Sequence, residues 1–185
     1  MIEELDHANS IITEFLSLAK SNKTDFESLN LNELLQNLYP LIEADAFNQN
    51  NALRFIQGDI PQIKLNQKEI TQLILNLCRN GLDAMPNGGC LTIETYVKNS
   101  VVVLSIQDEG HGIPNHLLSK LGTPFFTTKE RGTGLGLAIC YKIVESHQGK
   151  IDIESSSKGT KFLVSFPIQP SEKPYDPIYA VNTAG

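Results

Sequence analysis

Three glycines at alternate positions, Gly132, Gly134 and Gly136, stand directly before an apolar helical run in the segment Arg131-Gly132-Thr133-Gly134-Leu135-Gly136-Leu137-Ala138. A loop without Cβ atoms lets backbone N–H groups converge, and the helix N-terminus behind them adds partial positive charge. Together these suit an anionic phosphate chain. The spacing is G-x-G-x-G and no strand runs straight into it, so it is not the dinucleotide fingerprint. It also lacks the Gly-Lys-Ser/Thr that ends a Walker A loop. A cradle of this kind needs a compact domain behind it, and 185 residues with 41% hydrophobic and 19% charged side chains suffice for one buried core.

Charge narrows the partners. Fifteen Lys+Arg against 21 Asp+Glu leave a formal charge of -6, which disfavours general nucleic-acid binding. The three cysteines, Cys78, Cys90 and Cys140, are far apart without a C-x-x-C, as expected of reduced cytosolic thiols used as small apolar residues. No apolar run approaches the roughly 20 residues of a membrane helix. Met1 opens an acid-containing amphipathic stretch and not a signal peptide. A cytoplasmic location is expected for this segment, with any membrane attachment left to segments upstream of it.

Ile2, Leu5, Asn9, Ile12, Leu16 and Ala19 alternate at spacings of three and four. That pattern lines either a coiled-coil seam or one amphipathic helix folding back on its own domain. Polar residues 21–24 read as a linker. Asn30 is placed to cap a helix carrying Leu31, Leu34, Leu35, Leu38, Leu41 and Ile42, with Pro40 as a kink or early stop. Residues 53–57 and 62–65 read as short strands around the Gly58-Asp59 turn, and residues 66–85 as a helix stopped by Pro86-Asn87-Gly88-Gly89. Residues 91–97 and 101–107 form a hairpin around Lys98-Asn99-Ser100. After it comes a long Gly/Thr/Pro-rich stretch, 114–136, with a short helical signal at 116–121. Long loops inside compact domains are usually functional. A helix at 135–147 and a closing hairpin, 150–155 with 160–167, complete the domain, and the proline-bearing residues after Gln169 read as an irregular tail. Helices and hairpins in this order imply an α+β fold, with helices layered on one face of a mostly antiparallel sheet.

Two further motifs accompany the cradle. Asp108-Glu109-Gly110-His111-Gly112-Ile113 follows an apolar strand, and Asp108 at the strand end offers a carboxylate to a donor such as an exocyclic amine. Asn76 and Asn80 lie one turn apart on a helix face, where neutral amide oxygens can complete the shell of a magnesium ion held mainly by nucleotide phosphates.

The runs Asn76-Leu77-Cys78-Arg79-Asn80-Gly81, Asp108-x-Gly110-x-Gly112, Thr123-Pro124-Phe125-Phe126-Thr127-Thr128-Lys129 and Gly132-Thr133-Gly134-Leu135-Gly136-Leu137 resemble, in order and spacing, the four boxes of sensor histidine kinases. That family lies in the GHKL superfamily, which shares the Bergerat ATP-binding fold, a two-layer α/β sandwich, with gyrase, MutL and a heat-shock chaperone family. The resemblance covers residues 25–168 and implies ATP and Mg2+ as ligands. It implies that Asn80 coordinates magnesium, with Asn76 its partner near the phosphates, and that Asp108 reads the adenine amino group. Gly110 and Gly112 would approach the base, and Gly134 and Gly136 the phosphates. Phe125 and Phe126 would anchor a mobile lid carrying Thr127, Thr128 and Lys129. Lys129 and Arg131 either balance phosphate charge or are solvated loop charges. The resemblance extends the nucleotide-contacting set to Asp83, Ile113, Gly132, Thr133, Leu135, Leu137 and Thr160, the last resembling a threonine that helps to hold adenine. His111 either touches nucleotide or is a solvated loop histidine, and His147 at a helix end is expected to complement the helix dipole.

Two departures shape the functional expectation. In hydrolytic relatives a glutamate four residues before the magnesium asparagine activates water. Asn76 stands there and cannot act as a general base, so phosphoryl transfer to a protein nucleophile is expected in place of fast hydrolysis. None of His7, His111, His116 or His147 has the setting of a phosphoacceptor. Residues 1–22 resemble the second helix of a dimerisation hairpin in sporulation-type kinases, residues 25–168 the catalytic ATP-binding domain, and 169–185 a tail. The chain is therefore expected to be a C-terminal piece of a dimeric histidine kinase. It would bind ATP without phosphorylating itself and would serve a response regulator. The alternatives are a GHKL-type serine protein kinase and a non-catalytic nucleotide-binding module.

Overall fold

The computed structural model describes residues 25–129 and 132–168. The expected N-terminal helix, the 21–24 linker, Arg131 and the tail lie outside these residues. A short strand β1 (Glu27–Leu29), which the sequence pattern does not announce, leads into α1 (Leu31–Asn48). Asn30 caps α1 as expected, its Oδ1 accepting from the Asn32 N–H at 2.9 Å. Pro40 does not stop this helix. The ring removes one intrahelical donor, but Pro40, Gln36 and Leu41 all face solvent, while Leu34, Leu35, Ile42 and Ala46 are buried on either side of it. Burial of the flanking turns outweighs the missing bond.

Strands β2 (Ala52–Gln57) and β3 (Ile63–Leu65) flank the Gly58-Asp59 turn but do not pair with each other. β2 runs parallel to β4 (Cys90–Lys98), and β3 pairs antiparallel with β1. Between them and β4 lies α2 (Gln67–Asp83), capped by Asn66, whose Oδ1 accepts from the Glu69 N–H at 3.0 Å. The hairpin of β4 and β5 (Val101–Gln107) closes through Asn99 and Ser100, both at positive φ (49° and 62°), the backbone signs of a type I′ turn. A short helix α3 (Asn115–Leu118), then α4 (Gly136–Ser146), β6 (Lys150–Ser156) and β7 (Gly159–Pro167) complete the order.

The main sheet runs β2-β4-β5-β7-β6, antiparallel except for the β2–β4 pair. Its inward side chains, among them Leu91, Ile93, Leu104, Ile106, Phe162, Val164 and Phe166, join one core with the buried faces of α1, α2 and α4. This is the expected two-layer α+β architecture. Among the described residues no helix is long and apolar enough to cross a membrane.

His147 departs from expectation. Its side chain is 0% exposed, in edge contact with the rings of Phe26 and Phe166 at centroid distances of 4.9 and 6.0 Å. Nε2 accepts from the Asn66 N–H at 3.0 Å, and Nδ1 lies 2.7 Å from the Ile143 carbonyl. A ring that accepts at Nε2 is neutral, with its proton on Nδ1 for Ile143. The residue therefore fastens the end of α4 to the start of α2 and does not act as a cation at a helix end. Burial holds its pKa below the ordinary histidine value, against the opposing pull of the Ile143 bond and of Glu69. In the window between the folded value and the ordinary one near ~6.5, the unfolded chain binds more protons than the folded one. This contribution is complete above that window and is lost as pH falls through it. Thermal denaturation of wild type and His147→Asn across pH 5–8 is expected to show a less stable variant at pH 8. The gap should narrow as the pH falls.

Candidate functional site

Asp108 follows the last residue of β5 and is 3% exposed. The β5–β7 ladder carries it opposite Thr160, to whose carbonyl its N–H donates at 2.9 Å. Its Oδ1 accepts from the N–H groups of Thr160 at 3.1 Å and Gly110 at 2.8 Å, leaving Oδ2 for another donor. Burial raises the Asp108 carboxyl above the usual range, while the bonds from Gly110 and Thr160 and the nearby His111 pull it down. A buried carboxylate with one oxygen fully engaged and the other open is suited to accept from an amine N–H.

The surrounding loop is fastened on several sides. Glu109 accepts from the Cys90 N–H at 3.0 Å through Oε2, and its own N–H points at the Met85 sulfur at 3.2 Å. The Ser155 hydroxyl accepts from the Ile113 N–H at 2.7 Å and lies 3.0 Å from the Thr160 hydroxyl. Gly112 has φ +70°, and a Cβ there would strike the Ser156 carbonyl oxygen. His111 is exposed, its Nδ1 2.8 Å from the Gly112 carbonyl. Behind Asp108, a Cβ on Gly81 would come within 2.6 Å of Leu91 Cδ1 and 3.4 Å of Asp108 Cβ, so α2 lies against the strand end because residue 81 has no side chain. Sequence reasoning missed Gly81, Ser155, Glu109 and Met85 as site residues. Only Gly81 carried a signal, as a glycine inside a strongly periodic helix.

One residue before Gly81, on the same helix, begins the other half of the site. Asn80 Oδ1 accepts from the Lys129 ammonium at 3.0 Å, and Asp83 Oδ2 pairs with that ammonium at 2.7 Å. Asn76 turns toward α4, its amide donating to the Gly136 carbonyl at 3.3 Å. It thus ties the cradle to α2. The lid and cradle meet back to back. The Phe125 N–H donates to the Gly134 carbonyl at 3.1 Å with Phe125 at φ +67°, and a Cβ on Gly134, at φ +69°, would strike the Phe125 backbone. The Phe125 ring is 59% exposed, and Lys120 Nζ stands 6.0 Å from the Phe126 ring centroid. Thr127 Oγ1 accepts from the Lys129 N–H at 3.1 Å, and Thr133 Oγ1 from the Leu135 N–H at 3.3 Å. Thr128 is exposed on the lid and Gly132 half-buried beside Thr127. Leu135 is fully buried and Leu137 packs on the core, so their side chains support the cradle from beneath.

Asn80 and Asp83 hold a cationic group, so this corner fits a positive ion. Among the described residues no cluster of three or more His, Cys, Asp or Glu side chains stands ready for a metal. A divalent ion here would take most of its ligands from phosphate oxygens.

Such an arrangement defines a class: the ATP-binding two-layer domain found in histidine kinases and their ATPase relatives. Residues 65–170 match the family described as histidine kinase-, DNA gyrase B- and HSP90-like ATPases, and the chain belongs to that family. It is 37% identical over 172 residues to sporulation kinase C of Bacillus subtilis (strain 168), covering 91% of this chain and 40% of the relative. It is 34% identical over 175 residues to the sensor histidine kinase ZraS of Escherichia coli (strain K12), covering 94% and 38%. The chain thus spans well under half of either relative. The solved catalytic domain of histidine kinase ThkA superposes with TM-score 0.72 at 35% identity, covering 78% of this chain and 96% of that one. ThkA in complex with the response regulator protein TrrA gives TM-score 0.79 at 31% identity, covering 93% and 50%. The catalytic domain carried here is of the histidine-kinase type.

The glycine positions separate sharply by what surrounds them. Gly134→Ala combines a left-handed φ with a backbone collision and is expected to cost about 1–3 kcal/mol. At Gly136 the nearest atoms to a new Cβ are those of Asn76 at 4.0 Å, so Gly136→Ala should stay within about 0.5 kcal/mol of wild type. Urea denaturation of the two variants measures both.

Proposed function

We propose that residues 25–168 bind ATP between Asp108 and the glycine cradle and present its γ-phosphoryl group to a histidine carried outside the described residues. The observation that carries this reading is the pairing on α2: Gly81 abuts the buried Asp108 carboxylate, and Asn80, the preceding residue, faces the lid and its lysine. A nucleotide laid along this helix has an amine acceptor at one end and a cation seat at the other. Asp108 Oδ2 accepts from the adenine amino group, with Thr160 and Gly110 holding the carboxylate in place. The backbone of residues 132–136 and the start of α4 receive the phosphates, and Asn76 keeps that cradle against α2. Thr127, Thr128, Lys129 and Arg131 lie on the lid side, where the two cations offset phosphate charge.

Asn80, helped by Asp83, would hold Mg2+, which when bound neutralises charge on the β- and γ-phosphates. The acceptor imidazole nitrogen attacks the γ-phosphorus, the bond to the bridging oxygen breaks, ADP leaves, and the imidazole gives up its proton to solvent. Asn76 is no base, so the site aligns and shields without activating water. Residues 1–22 read as the second helix of a dimerisation hairpin whose first helix would bear the acceptor, and residues 169–185 as a tail. The phosphoryl group would pass to a response regulator from a homodimeric parent kinase, a partnership that the ThkA–TrrA complex supports by similarity. The likeness to named histidine kinases favours histidine over serine as acceptor.

Calorimetric titration with a non-hydrolysable ATP analogue is expected to show binding that Asp108→Ala weakens at least tenfold, the loss of about 1.4 kcal/mol or more. Asn80→Ala should bind with no response to magnesium. Lack of binding by the folded wild-type chain would overturn the reading. Incubated with labelled ATP, the chain alone should acquire no acid-labile phosphate, whereas a longer chain bearing the acceptor helix should acquire it.

A further inference from the structure

The lysine on the lid occupies a position that a nucleotide site would reserve for its metal. Asn80 and Asp83 are three residues apart on α2 and so share a face. Lys129 reaches them across 49 and 46 positions of sequence, placing one ammonium 3.0 Å from the Asn80 oxygen and 2.7 Å from the Asp83 carboxylate. The backbone of Lys129 is itself held: its N–H donates to Thr127 Oγ1 at 3.1 Å, and its carbonyl accepts from the Gly132 N–H at 3.2 Å. A turn pinned at both ends thus presents the side chain to α2 as a strut between lid and helix.

Chemistry makes the arrangement self-consistent. An acidic side chain beside a polyphosphate site is unfavourable unless a cation accompanies it, and here the chain supplies one. Lys129 is 43% and Asp83 37% exposed in their side chains, so the pair stays in exchange with solvent and is open to displacement. A doubly charged ion arriving with phosphate oxygens offers Asn80 and Asp83 a stronger partner than one ammonium, and the released ammonium is left beside the new phosphates.

Building on the nucleotide reading above, we propose that Lys129 is the resident cation of the metal seat in the nucleotide-free domain. Asp83 parks its ammonium against Asn80, so that metal–nucleotide entry displaces the lysine and releases the lid from α2. Asp83 is then a positioning residue for the lid, and its contact with the lysine couples loading to lid movement.

Hydrogen–deuterium exchange of the nucleotide-free chain tests the strut. Lid amides at 119–129 should exchange about two- to fivefold faster in both Lys129→Met and Asp83→Asn, the range an exposed charge pair supports. The double variant should exchange no faster than the faster single variant, and β5 amides should be unchanged as a check on folding. Unchanged lid exchange in both single variants overturns the proposal. The shared seat is tested with Mn2+ alone, its bound fraction read by electron paramagnetic resonance. Lys129→Met should bind the ion more tightly than wild type by a similar factor, and equal affinity overturns competition for one seat. Neither measurement uses nucleotide, so failure of the ATP titration with the strut intact would sink the ATP reading alone.

Discussion

Helix α2 lies against the end of β5 because residue 81 carries no side chain. A Cβ there would collide with Leu91 and crowd Asp108, forcing the helix away from the strand end. With glycine in place, the buried carboxylate and the amide of Asn80 stand at neighbouring residues of one rigid element. Elsewhere α2 is held by Ile70, Leu73, Ile74 and Leu77, all 0% exposed, so its position is set by the core and not by the loops. Both halves of the site borrow this rigidity. The glycine loop after Asp108 leans on Ala84 and Met85 at the helix end, and the cradle is tied back through Asn76 to Gly136.

The lid is built on a different principle. It meets the rest of the domain through backbone contacts, Phe125 to Gly134, and through one exposed ion pair, Lys129 to Asp83. Such contacts contribute little individually and break at small cost. A rigid floor and a lightly fastened cover allow a ligand to enter without disturbing the core. The phenylalanine pair behaves asymmetrically in this respect, since Phe125 anchors through its main chain while its ring faces solvent.

Much of this organisation was legible in order. Asn30 and Asn66 announced two helix starts, the alternation from 91 to 107 a hairpin, and four motifs in register a histidine-kinase catalytic domain. Pro40 misled because propensity is local, whereas the helix around it is held by burial on the opposite face. His147 misled for a related reason. At a helix end a histidine reads as a cation, yet Asn66 donates to it from 81 positions away and two aromatic rings exclude water. Ser155 and Glu109 carried no motif, because each serves the Asp108 loop through one side-chain bond to a distant backbone N–H.

Periodicity, caps, turn residues and box motifs are properties of neighbouring residues, and the amino-acid sequence by itself determined them: the α+β class, the element order and the residues around the nucleotide site. The tertiary structure alone decided the parallel pairing of β2 with β4, the pairing of β1 with β3, the neutral state of His147 and the meeting of Lys129 with Asp83. These depend on which distant segments share a surface and on how much water remains between them. Hydrogen-bond direction, charge state and ion pairing follow from that shared surface, and no local pattern encodes it.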